Sequence, residues 1–133
     1  MIHLDATFLV DLLREARRQA GPATAFLETV QDQELVTSVH VLCELYAGAE
    51  LSNGPPRERQ TIQKVCGALG IRYPDEKFPP LYGQLLAGLQ RSGQTIATMD
   101  LLIATAALLD GAPLVTRNLD HFTRVPGLEV LSY

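Results

Sequence analysis

Cysteine is scarce in this chain and badly spaced for a metal cage or a disulfide framework. Cys43 and Cys66 are the only two, and both stand among apolar residues, so they read as buried free thiols of a reducing cytoplasm. Long apolar runs are missing too. No stretch approaches the length of a membrane span, and the opening Met1-Ile-His-Leu-Asp5 lacks the basic region and apolar stretch of a secretory signal. The expectation is a cytoplasmic protein with no membrane partner. Positive charge is in deficit: 11 Lys and Arg against 15 Asp and Glu give a net charge of −4, which argues against broad attraction to a nucleic-acid backbone. It does not exclude a nucleic-acid enzyme whose acids gather at a metal, because the cation then sets the local field. Only Lys64 and Lys77 are lysine. The arginine bias suits planar contacts to phosphate or carboxylate, and a lineage preference explains it equally well. No glycine-rich loop follows any expected strand, which leaves P-loop and dinucleotide folds without support.

What is present is enough for one domain, residues 1–133, with a core that needs neither disulfides nor a structural metal. Short apolar runs at Ile2–Leu4, Leu35–Thr37, Ile71–Tyr73, Pro113–Thr116 and Leu128–Leu131 read as strands. Helical periodicity falls between them. Thr7 is placed as the cap of a first helix with Phe8, Leu9, Leu12, Leu13 and Ala16 inward and Asp11, Arg14, Glu15 and Arg18 in solvent. Further helices are expected near residues 23–31, 39–51, 57–69 and 79–91, with Asn53-Gly-Pro-Pro56 as a loop. Residues 117–121 read as a polar loop. Strands alternating with helices predict an α/β fold, a three-layer α/β/α sandwich with a short, mainly parallel sheet.

The segment from Thr95 to Gly111 is the least amphipathic. From Leu101 to Leu109 only Thr105 is polar, so a helix there must be packed on most of its circumference. Thr98 would cap it and Gly111 stop it, leaving Asp100 in the first turn, where the dipole favours an anion. Taken alone, Asp100 suits a structural helix-start acid. Glu44 is the second anomaly, an acid on the inward edge of a stripe formed by Val41 and Leu45; alone, it fits an amphipathic edge residue paired with an arginine equally well. Asp5 ends the first strand, and Thr116 to Asp120 follow a later one. Sites in parallel α/β sheets form outside the carboxyl ends of strands, and that rule gathers these acids. Carboxylates converging there raise one another's pKa unless a cation sits among them. Oxygen donors without a His or Cys cluster point to Mg²⁺ or Mn²⁺, and such a centre suits hydrolysis of a phosphodiester.

The ordered set Leu4-Asp-Ala-Thr7, Ser38-Val-His-Val-Leu-Cys-Glu-Leu-Tyr-Ala-Gly48, Ile96-Ala-Thr-Met-Asp-Leu-Leu-Ile-Ala104, Leu114-Val-Thr-Arg-Asn-Leu-Asp-His-Phe122 and Val125-Pro-Gly-Leu128 resembles PIN-domain ribonucleases. Within them it is most similar to the VapC toxins of bacterial toxin–antitoxin pairs. The resemblance spans nearly the whole chain. It implies an endoribonuclease in which Asp5, Glu44 and Asp100 are the metal-site acids, Asp5 and Asp100 the metal ligands, and Thr7 and Thr116 the hydroxyls that orient ligands or water. Where many relatives carry a last Asp, this chain has Asn118; Asn118 would then hold a metal-bound water while Asp120 supplies the charge, unless Asp120 is only a turn acid. The resemblance further implies an RNA substrate, structured RNA such as tRNA or rRNA included, a homodimer, and a VapB-type antitoxin that covers the groove. His121 is expected to brace its loop, and His3 and His40 to be structural. Arg14, Arg17, Arg18, Arg117 and Arg124 are the candidate phosphate guides.

Two other classes remain in view. A Mg²⁺-dependent phosphoacceptor domain would need a neighbouring acid pair near the first strand, where Asp5 stands alone, and a lysine after a later strand. A non-catalytic RNA- or partner-binding domain of the same fold would not need the complete set of Asp5, Glu44 and Asp100.

Overall fold

The computed structural model describes residues 1–133. In chain order the elements are β1 (Ile2–Leu4), α1 (Ala6–Glu15), α2 (Pro22–Thr29), β2 (Leu35–Ser38), α3 (Val39–Glu50), α4 (Pro55–Cys66), β3 (Gly70–Arg72), α5 (Phe78–Arg91), α6 (Thr98–Leu109), β4 (Leu114–Val115), α7 (Leu119–Phe122) and β5 (Val130–Leu131). The strands form one sheet in the order β3-β2-β1-β4-β5, and all four pairings are parallel. Successive strand residues point to opposite faces. Ile2, His3 and Leu4 are nevertheless all buried, so helices cover both faces of β1 and the fold is the expected α/β/α sandwich. From β1 the chain winds outward through β2 and β3, then returns to the other side of β1 through β4 and β5. The topological switch point therefore lies between β1 and β4.

The core joins Leu4, Phe8, Leu9, Ile103, Ala104, Leu114 and Phe122. Burying a side chain as large as Phe8 or Ile103 contributes about 1.5–3 kcal/mol. In α6 every residue from Ile103 to Ala107 is buried, as is Leu101, in line with its lack of a polar face. The buried Thr105 hydroxyl donates to the Leu101 carbonyl. Asp110 anchors the far end of this helix: its Oδ2 lies 2.6 Å from His3 Nε2 and accepts from Arg72 Nε at 3.1 Å. His3 is thus the structural residue expected of it. Gly111, at φ +60°, then turns the chain toward β4 at no side-chain cost.

Several local expectations give way. Asp5, rather than Thr7, takes the N-cap position of α1, without a side-chain capping bond. Ala97 precedes the first turn of α6, with Thr98 already inside it. The pair Pro55-Pro56 opens α4 instead of lying in a loop, because proline's fixed φ and missing N–H suit a helix's first residues. Residues 119–122 form α7, where a polar loop was expected. Cys66 is buried as expected, but Cys43 is exposed. Ala16 is exposed as well, while Asp11 and Glu15 are only partly so. Glu15 turns inward because its carboxylate accepts from the Ala23 and Thr24 amides, which opens α2.

Candidate active site

Asp5 stands at the carboxyl end of β1, beside the switch point, and is 2% exposed. Its backbone is fixed by the Asp5 amide, which donates to the Val115 carbonyl on β4, and by the Thr37 hydroxyl, which donates to the Leu4 carbonyl just before it. Two hydroxyls orient its carboxylate. Thr116 donates to Asp5 Oδ2 at 2.6 Å and Thr7 donates to the same oxygen at 3.0 Å. Each hydroxyl has a single proton to give, and each then accepts a backbone amide at 3.0 Å, Arg117 on Thr7 and Asn118 on Thr116. The loop after β4 is thereby fastened to the start of α1. Both hydroxyls fall on one oxygen of Asp5, which leaves Oδ1 clear of them.

Ser38 caps α3 by accepting the Val41 amide, and that helix carries Glu44 half-buried between Val41 and Leu45. Asp100 sits in the first turn of α6, 15% exposed in its side chain, with His121 Nδ1 at 3.0 Å from its Oδ2. His121, on α7, thus braces its short helix against α6. Burial pushes the Glu44 carboxyl up to about 7, and the Asp5 and Asp100 charges push the same way. Burial likewise raises Asp5, against the pull of the Thr116 hydroxyl, the Ala6 amide and the Thr7 hydroxyl, while Asp100 adds to the rise. The three acids carried by β1, α3 and α6 therefore share one electrostatic setting.

This donor set fits a hard divalent cation. It is made of carboxylate oxygens, one of them preoriented by two hydroxyls, and the repulsion that adds to burial in raising Glu44 is what a cation would relieve. No group of three His, Cys, Asp or Glu side chains stands close enough together to hold a metal ion; Asp5, Glu44 and Asp100 are linked through the action of their charges on one another. Mg²⁺ keeps several waters and takes only one or two carboxylates. Asn118 stands at the N-cap position of α7, and Asp120 is exposed in that helix's first turn.

A groove of about 1210 Å³ opens beside Glu44, walled by α1 on one side and by α3 and α4 on the other. Thr7, Glu44 and Arg117 line it, as do Arg14, Arg17, Arg18 and Arg57. Arg14 lies roughly 13 Å along the α1 axis from Asp5 at 1.5 Å per residue. Four of the five expected phosphate guides thus face one groove. Arg124 does not; it donates to the Thr95 carbonyl across a smaller hollow. Arg57 was not among the expected residues, and only the packing of α4 against α3 brings it there. The sequence also gave no hint that Asp11 and Tyr133 meet at Arg117: Arg117 Nη1 donates to both Asp11 oxygens at 2.8 and 2.9 Å, and the Tyr133 hydroxyl donates to Asp11 Oδ2 at 2.6 Å.

The same fold recurs in known proteins. The family model of the PIN domain matches residues 2–128. The chain belongs to the PIN-domain family. Within that family its relatives are VapC proteins. Ribonuclease VapC2 of Rickettsia felis is 32% identical over 98 residues, covering 74% of this chain and 73% of the relative. The tRNA(fMet)-specific endonuclease VapC of Salmonella typhimurium is 34% identical over 89 residues, 67% of each chain. Among solved structures, VapBC2 from Rickettsia felis bound to a DNA fragment from its promoter aligns with a TM-score of 0.90 at 27% identity, covering 100% of this chain and 99% of the other. This PIN domain therefore shares its fold with the VapC family of VapBC toxin–antitoxin systems, and its sequence is related to theirs.

Proposed function

We propose that this VapC-type PIN domain is the toxin of a toxin–antitoxin pair and acts as a Mg²⁺- or Mn²⁺-dependent endoribonuclease. The observation that carries the reading is the shared setting of Asp5, Glu44 and Asp100 at the switch point, with Asp5 oriented by Thr7 and Thr116. Asp5 and Asp100 are the residues that would hold the cation, which when bound lowers the pKa of water and offsets charge on a phosphodiester. Thr7 and Thr116 keep Asp5 in one rotamer and leave Oδ1 clear of both hydroxyls. Glu44, with its carboxyl near neutrality in the metal-free chain, is suited to accept a proton from the attacking water. Asp120 is assigned the outer acid and Asn118 the neighbouring amide, while the arginine-lined groove receives the RNA backbone. Relatives named for ribonuclease and tRNA(fMet) endonuclease activity support RNA as substrate, structured RNA such as tRNA included. The solved VapBC assemblies support a VapB-type antitoxin as partner. A homodimer accompanies this reading, to be tested by sedimentation of the purified chain.

The deciding experiment is cleavage of a mixed RNA pool by antitoxin-free protein with Mg²⁺, Mn²⁺ or chelator. Cutting is expected only with metal and should fall by roughly a thousandfold in Asp5→Ala, with a smaller loss in Asp120→Ala. Equal cutting in chelator, or by Asp5→Ala, would overturn the proposal.

A further inference from the structure

Arg117 follows Thr116 directly in the loop after β4, and its amide donates to the Thr7 hydroxyl, so its backbone is tied to the two side chains that orient Asp5. Its side chain is 55% exposed, the residue lines the groove, and the guanidinium is held by Asp11 through one nitrogen alone, Nη1. Guanidinium carries five N–H donors in a rigid plane. Holding Nη1 leaves the Nε and Nη2 edge free, a fork matched to two oxygens of a phosphate. Asp11 is fixed in its turn by Tyr133, whose hydroxyl donates to Oδ2 and whose ring packs edge-on against the buried Phe8 at 4.9 Å. A flexible arginine at the mouth of the site is thus anchored through Asp11 and Tyr133 to the core.

We infer that Arg117 binds an RNA phosphate next to the scissile position, and that Asp11 and Tyr133 are positioning residues that aim its free edge into the groove. The ligand class rests on the ribonuclease reading, and the arrangement has a consequence that charge alone does not. Neutralising Asp11 removes a negative charge from beside Arg117, which by field alone should tighten RNA binding. If Asp11 acts by aiming Arg117, binding weakens instead.

The test is anisotropy of a labelled mixed-sequence RNA oligonucleotide with wild type, Arg117→Ala, Asp11→Asn, Tyr133→Phe and the double variants, all in chelator. Arg117→Ala should weaken binding about tenfold, and Asp11→Asn and Tyr133→Phe roughly threefold each. Neither should weaken it further in the Arg117→Ala background, since both act through that residue. Tyr133→Phe keeps the ring on Phe8 and removes only the hydroxyl, so it remains informative if Asp11→Asn lowers the melting temperature. Wild type binding no more tightly than Arg117→Ala would overturn the inference, as would Asp11→Asn binding more tightly or losses that add in the double variants. Because this assay contains no divalent cation, failure of cleavage bears on the nuclease reading alone.

Discussion

Glu44 is the residue at which the cost of gathering acids is concentrated. The Asp5 carboxylate accepts from two hydroxyls and Asp100 Oδ2 lies against His121 Nδ1, whereas burial and the charges of Asp5 and Asp100 all act on Glu44 in the same direction and lift its carboxyl from an ordinary 4.5 to about 7. The folded chain then binds this proton more tightly than the unfolded chain does. The resulting contribution to stability is full below about 4.5 and is lost as pH rises through about 7. Metal-free wild type should therefore lose melting temperature across that interval more steeply than Glu44→Gln, which keeps the shape and removes the charge. Added Mg²⁺ or Mn²⁺ should recover more of the loss in wild type, because a ligand of the folded state stabilises it by mass action. Thermal melts from pH 4 to 8, with and without metal, check both points. Parallel pH curves for the two proteins would remove Glu44 from the repelling set.

At the scale of elements, α6 controls where Asp100 stands, since its first turn carries the acid and its other end is anchored through Asp110 to His3 and Arg72. Gly111 closes that end at φ +60° with open space where a Cβ would go. Gly111→Ala should therefore cost about 1–2 kcal/mol from backbone strain alone, with cleavage per folded molecule unchanged; urea denaturation and an activity assay measure the two separately. The central helix was legible in the sequence because an unbroken apolar run has only one way to pack. The strand-end position of Asp5 and the first-turn position of Asp100 were legible for a similar reason, as both follow from local periodicity. The helix α7 was not, because four residues are too few to show a helical period. Pairings across long sequence separations were hidden as well. Asp11 looked like a solvent-facing acid of α1, and only the return of Arg117 after β4 and of Tyr133 after β5 gives it partners. Cys43 was misplaced for the opposite reason: apolar neighbours in sequence do not fix which side of α3 a residue takes.

For the whole molecule, a net charge of −4 has to be reconciled with a nucleic-acid substrate, and the groove shows how the charges separate. Asp5 and Asp100 stand at the switch point outside the groove lining, while Arg14, Arg17, Arg18, Arg57 and Arg117 outnumber Glu15, Glu44 and Glu58 along the groove that leads away between α1 and α4. The sheet topology creates this division, because the chain reverses between β1 and β4 and leaves a crevice there. Attraction to RNA should then be local and countable, even though the overall charge is repulsive. Each arginine that meets a phosphate releases counterions, and losing one contact to single-stranded RNA should flatten the dependence of log K on log salt by about 0.7. Arg14→Gln and Arg57→Gln should each flatten that dependence and weaken binding across RNA sequences alike. Arg124→Gln removes the same formal charge from a residue engaged with the Thr95 carbonyl outside the groove, so its slope should match wild type. Titrations over a range of salt concentrations distinguish the alternatives: equal slopes for all three variants would mean that net charge governs binding, whereas flattening confined to the groove variants would locate the RNA path between α1 and α4.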